Sequence, residues 1–198
     1  MAGLMDILGQ VLGGNAGQQI SGLLGADTAK TKSGMALALP ALLGALSKNA
    51  SKPEGLDSLT RAVKQDHDGS ILDDLGGFLG KAATGPGAGI LKHVLGAKRS
   101  GVEGEISRAS GLGGPATSQL MEMLAPILMG AIGKSLASGG GQGLAAMLSG
   151  ASRQAAGAAP AGMAGIFEML DLNKDGSMMD DVVRMGGGFF KRLFGMRR

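Results

Sequence analysis

A ten-residue pattern in this chain recurs 86 positions later. Leu39-Pro40-Ala41-Leu42-Leu43-Gly44-Ala45-Leu46-Ser47-Lys48 lies over Ala125-Pro126-Ile127-Leu128-Met129-Gly130-Ala131-Ile132-Gly133-Lys134, with the Pro, Gly, Ala and Lys in register. Upstream, residues 7–13 match residues 90–96 at a shift of 83, and downstream residues 68–75 match residues 175–182 at a shift of 107. Three blocks in one order with drifting offsets describe a duplicated unit whose second copy carries insertions. The expected architecture is two pseudo-equivalent units sharing a core, rather than two independent domains.

Within each unit the apolar residues recur at three and four positions. Leu4, Ile7, Leu8, Val11 and Leu12 show the helical period, as do Leu39, Leu42, Leu43 and Leu46. No sustained alternation marks a strand, so the fold class is all-α, a multihelical bundle with short helices broken by Gly and Pro. Breaks are expected at Gly13-Gly14, Gly25, Pro53, Gly76-Gly77, Gly85-Pro86-Gly87, Gly113-Gly114 and Pro160. Pro40 and Pro126 lie in the most apolar segments, where a proline removes a helical hydrogen bond, so each predicts a kink or a break. The first repeat is assigned to residues 1–83, the second to 84–185 and a tail to 186–198, with a Gly-rich linker between the repeats. With 38 glycines and five phenylalanines in 198 residues, the core must be aliphatic and its helices closely spaced.

The absence of cysteine excludes disulfide-stapled folds, thiolate nucleophiles and most zinc folds. The start lacks the basic region of a secretory signal and carries Asp6 instead. The longest uncharged stretch, residues 7–26, holds Gln10, Asn15, Gln18 and Gln19 and is too polar to span a bilayer core of about 30 Å. The expectation is a cytoplasmic protein with no transmembrane helix.

Asp171-Leu172-Asn173-Lys174-Asp175-Gly176-Ser177 carries the most specific chemistry. Oxygen-bearing side chains alternate along a tight loop, with Gly at the sharp turn, as in an EF-hand. Calcium takes six to eight hard oxygens, and Asp171, Asn173 and Asp175 offer that type, with Ser177, Asp180 and Asp181 following. The bidentate acid of a standard loop is missing, because Val182 stands at the twelfth place. The same residues also read as a capping box, Ser177 with Asp180, repeated by Ser70 with Asp73 in the first copy. In that copy Lys64 takes the first loop place and only Asp66 and Asp68 remain, so metal is assigned to the second loop.

The Pro-x-Leu-x-Gly-Ala segment followed by Asp-Gly-Ser-x-x-Asp-Asp resembles the bacterial YidB-like proteins, domain of unknown function 937 (DUF937), over most of residues 4–183. The resemblance implies an α-helical fold and a bacterial source, and it brings no activity, substrate or catalytic residue. The Asp-rich loop looks like a usual feature of that family, from which Lys64 departs.

Nothing else assembles into an active site. Gly133-Lys134-Ser135 lacks the earlier glycine and the strand of a phosphate loop. Gly85-Pro86-Gly87-Ala88-Gly89 lacks the strand and acid of a dinucleotide fingerprint. His67 and His93 show no partner, and no serine sits in a nucleophile elbow. The chain is therefore expected not to be an enzyme and to need no cofactor beyond structural calcium.

The tail ends Phe189-Phe190-Lys191-Arg192-Leu193-Phe194-Gly195-Met196-Arg197-Arg198. At 100° per residue Phe189, Phe190, Leu193, Phe194 and Met196 form a broad apolar side, with Lys191, Arg192 and Arg198 mainly opposite and Arg197 nearer the apolar side. Such a segment either completes the protein's own core or docks on a partner groove or an anionic membrane surface. Nucleic acid is the least favoured target, and no small-molecule substrate is evident. The expected function is a non-catalytic scaffold or interaction protein with a protein partner or second copy, its self-association drawing on Gly/Ala-rich faces and on Met121, Met123 and Met129. The alternative is a peripheral membrane protein acting through its tail, and the remote one a hydrolase.

Overall fold

The computed structural model describes residues 3–13, 15–66, 69–81, 85–138, 143–158, 160 and 166. The aspartate-rich segment 171–181, the tail, His67 and Asp68 lie outside the described residues.

The described chain is all-α. Helix α1 spans Leu4–Leu12, α2 Ala16–Leu24, α3 Thr28–Ala50 and α4 Pro53–Asp66. A 3-10 turn at Ser70–Leu72 leads to α5, Leu75–Lys81. Helix α6 spans Gly87–Leu95 and passes through a second 3-10 turn into α7, Arg99–Ser110, followed by α8, Gly114–Ala137, and α9, Leu144–Gly157. Local chemistry explains the ends. Asp27 Oδ1 accepts from the Ala29 and Lys30 amides at 2.9 and 3.0 Å and starts α3. Gly25 and Gly111, at φ 59° and 69°, close α2 and α7 in the left-handed conformation that disfavours a side chain. Pro53 opens α4 at the first helical position, where no amide is needed.

Three expectations are corrected. Pro40 and Pro126 do not break their segments, which form single helices of 23 and 24 residues and are not short. Both helices run through the core, and packing on every side holds them together across the missing hydrogen bond: Leu37, Ala38, Ala41, Leu42 and Leu43 are buried on α3, and Leu120, Leu124, Ile127 and Leu128 on α8. Gly76-Gly77 likewise lies inside α5. The break falls one step earlier, because Asp74 Oδ1 accepts from the Gly77 amide at 2.9 Å. Asp74 is therefore the cap, where the Ser70 and Asp73 box had been expected.

One hydrophobic cluster takes residues from both halves of the chain. Helices α1, α2 and α4 and the Ser70–Leu72 turn reach α8 and helices α6, α7 and α9 reach α3, while α2 and α4 also pack on α3 and α6 and α7 also pack on α8. Each long helix thus receives elements from the other half.

Arg99 fastens α7 to α8. Its Nε donates to Glu103 Oε1 at 2.6 Å, and its Nη2 to Glu122 Oε1 at 2.5 Å and Ser118 Oγ at 3.0 Å. Partial burial opposes the charge, but the hydrogen bonds to Glu103 and Glu122 outweigh it and raise the Arg99 pKa above its ordinary value. Because the site is only partly screened from water, Arg99→Ala should lower stability by roughly 1–2 kcal/mol in denaturant titration. Arg108→Ala, whose pair with Glu105 is far more exposed, should change it by less than about 0.5 kcal/mol.

Candidate functional site

Helices α4 and α6 stand apart over the end of α3 and leave a cavity of about 810 Å³. Two close approaches set its walls. A side chain at Gly55 would strike the Asn49 carbonyl, so α4 begins hard against the end of α3. One at Gly87 would strike the Glu122 carbonyl, so the first residue of α6 presses on α8. That carbonyl is the one deprived of its helical donor by Pro126. Asn49 adds a polar tie, its Nδ2 donating to Ala45 O and, across to α6, to Val94 O, both at 3.0 Å.

The lining is apolar at depth and acidic above. Leu46, Leu59, Ala62, Ile90 and Val94 make the walls and Met129 contributes from α8. Glu54 and Asp66, both exposed, supply two carboxylates, and among the described residues the lining holds no lysine or arginine. His93 is exposed at the edge and its Nδ1 lies 3.0 Å from the Gly89 carbonyl. A carbonyl only accepts, so Nδ1 is the donor in this contact. Ser58 and the carboxylates of Glu54 and Asp66 share the lining with it. A volume of this size, apolar with few polar groups, is suited to binding an apolar body with positive charge beside it.

The residues singled out from sequence are scattered. Asp171, Asn173, Asp175, Ser177, Asp180 and Asp181 lie outside the described residues, as do Phe189, Phe190, Lys191, Arg192, Phe194, Arg197 and Arg198. Asp66 ends α4 at the groove, with Lys64 exposed nearby, and among the described residues no three acidic or histidine side chains converge as a metal would need. Met121, Met123 and Met129 are buried in the core, which removes them as a self-association surface. Lys134 sits in the last turn of α8 and pairs with Asp73 at 2.8 Å. Helix α8 is long and apolar enough to cross a membrane, but 78% of its apolar window is buried inside the protein. The groove was not foreseen.

No curated protein and no solved structure matches this chain. The pattern of one family, described as a bacterial protein of unknown function (DUF937), matches residues 6–135 and so ends before α9 and the aspartate loop. The chain, with its two long proline-bearing helices and the groove beside them inside that match, belongs to the DUF937 family of bacterial proteins of unknown function.

Proposed function

We propose that this is a non-catalytic, cytoplasmic interaction protein whose groove takes a basic apolar segment, and that the segment is its own tail, residues 189–198, from the same or a second copy. The observation that carries this is the complementarity of groove and tail. Among the described residues the lining joins an apolar wall to two carboxylates without a lysine or arginine, and the tail has four bases and three phenylalanines in ten residues. Lengths agree as well: the nine residues of α6 run about 13 Å, and ten helical residues about 15 Å. Elsewhere among the described residues Leu23 is the one large hydrophobic side chain exposed, which leaves the groove as the apolar binding surface. Tail supplied by a second copy gives self-association. Calcium is the structural ligand we assign to Asp171, Asn173 and Asp175, on the strength of their hard oxygens.

A fluorescent peptide of residues 189–198, added to protein ending at Gly188, should bind saturably and weaken with salt. Reversing the rim with Glu54→Lys and Asp66→Lys, both on exposed side chains, should reduce affinity at least tenfold, and Leu23→Glu should leave it unchanged. Equal binding to all three proteins would sink the groove assignment. Co-sedimentation of full-length protein with anionic vesicles, lost on truncation at Gly188 and indifferent to the rim reversal, would instead favour the membrane-surface alternative.

A further inference from the structure

The acidic rim of the groove is divided between its two ends. Glu54 lies in the first turn of α4 and Asp66 is its last residue, twelve positions further on, so about 18 Å of helix separates them. Glu54, Ser58, Ala62 and Asp66 follow one another at intervals of four and form one stripe along the groove wall. Only the ends of the stripe are charged. Between them stand a hydroxyl and a methyl group, with buried Leu59 beside them and Ile90 on the facing helix.

Neighbouring contacts fix which end is which. Gly55 of α4 lies against the Asn49 carbonyl at the close of α3, and Asn49 Nδ2 donates to Val94 O at 3.0 Å near the end of α6. The first turn of α4 thus shares its end of the groove with the last turn of α6, and the two walls run in opposite senses. Asp66 belongs to the far end, with Pro86 just ahead of α6. Neither Glu54 nor Asp66 takes part in the ion pairs of the described residues.

Screening decides how the two charges act. At physiological salt an exposed charge is felt over about 8 Å, less than half the separation of Glu54 and Asp66. A cation seated at one end is therefore hidden from the carboxylate at the other. A ligand with its bases crowded at one end answers one acid only, whereas bases at both ends of an apolar middle answer both.

Resting on the reading of the groove as a site for a basic apolar segment, we infer that the groove selects by charge spacing. Glu54 and Asp66 are separate specificity residues, each reading a basic group at its own end of the bound segment. The tail sequence meets that requirement, with Lys191-Arg192 and Arg197-Arg198 flanking Leu193, Phe194 and Met196. Lys191 and Arg198 are seven residues apart. That is about 10 Å in a helix and about 23 Å fully extended, so the separation of the acids falls within their range.

Double-mutant cycles test the inference. The host is full-length protein whose own four tail bases are changed to Gln, carrying Glu54→Gln, Asp66→Asn or neither, at physiological salt. The probes are fluorescent peptides of residues 189–198: unaltered, with Lys191→Gln and Arg192→Gln, or with Arg197→Gln and Arg198→Gln. Each host change should weaken the unaltered peptide about threefold, as for an exposed ion pair. With one altered peptide Glu54→Gln should have no further effect while Asp66→Asn keeps its loss, and with the other peptide the roles should exchange. The pairing then reports the direction in which the segment lies. A peptide of the same composition with all four bases at one end should bind about threefold more weakly than the tail sequence. Equal affinity for that peptide, or host changes that act alike on both altered peptides, overturns the inference, because the acids then act as one diffuse field. Failure of the groove reading looks different: the unaltered peptide would bind saturably to no host, and both would fall. Changes in the peptide leave the protein as it is, so loss of folding cannot imitate the exchange.

Discussion

Gly87→Ala should lower stability by about 1–3 kcal/mol, although alanine is the better helix former. Alanine at this position puts a methyl group on the Glu122 carbonyl, and that atom belongs to the backbone of a helix whose apolar face is buried. No rotamer relieves the clash, so α6 must move. For a chain of this length the melting temperature should fall by about 2–12 °C. Gly104→Ala supplies the opposite sign. Gly104 lies inside α7 with open space where its Cβ would be, so the substitution should stabilise by up to about 1 kcal/mol. If Gly87→Ala proved as benign as Gly104→Ala, the contact between α6 and α8 described above would be wrong. Displacing α6 also moves Ile90, His93 and Val94, so the same variant should weaken the tail peptide.

What the sequence disclosed follows from how local each signal is. Gly25 and Pro53 act within one turn of the helices they bound, and both positions end or begin a helix as their chemistry dictates. The period of Leu39, Leu42, Leu43 and Leu46 identified a helix but could not weigh Pro40, because the missing hydrogen bond is offset by neighbours far along the chain. Gly76-Gly77 misled for a related reason. Asp74 starts α5 just ahead of those residues, and a capped start outweighs two poor helix formers.

The groove was illegible for a different reason. Its walls come from Glu54 to Asp66, from Pro86 to Val94 and from Leu46, Asn49 and Met129, and periodicity shows only that each helix has an apolar side. It does not tell that α4 and α6 stand apart where other helices close up. A signal was present in Gly55 and Gly87, whose lack of a side chain marks two backbone contacts, but a glycine in a chain with 38 of them does not announce which kind it is. Asn49 was equally silent, since nothing near it in sequence names Val94 as its acceptor.

Calcium should raise the melting temperature, and the size of the rise follows from mass action. At a hundredfold excess over its Kd, an ion that binds only the folded protein adds about 2.7 kcal/mol, or roughly 5–11 °C for a chain of this length. The physical source is the repulsion among Asp171, Asp175, Asp180 and Asp181, which a divalent ion relieves while its ligands replace water. Asp175→Ala should abolish the rise by removing a central donor, and Asp68→Ala in the first copy should leave it whole. A melting temperature indifferent to saturating calcium, with no heat of binding by calorimetry, would remove the metal and leave Ser177 and Asp180 with the capping-box reading alone.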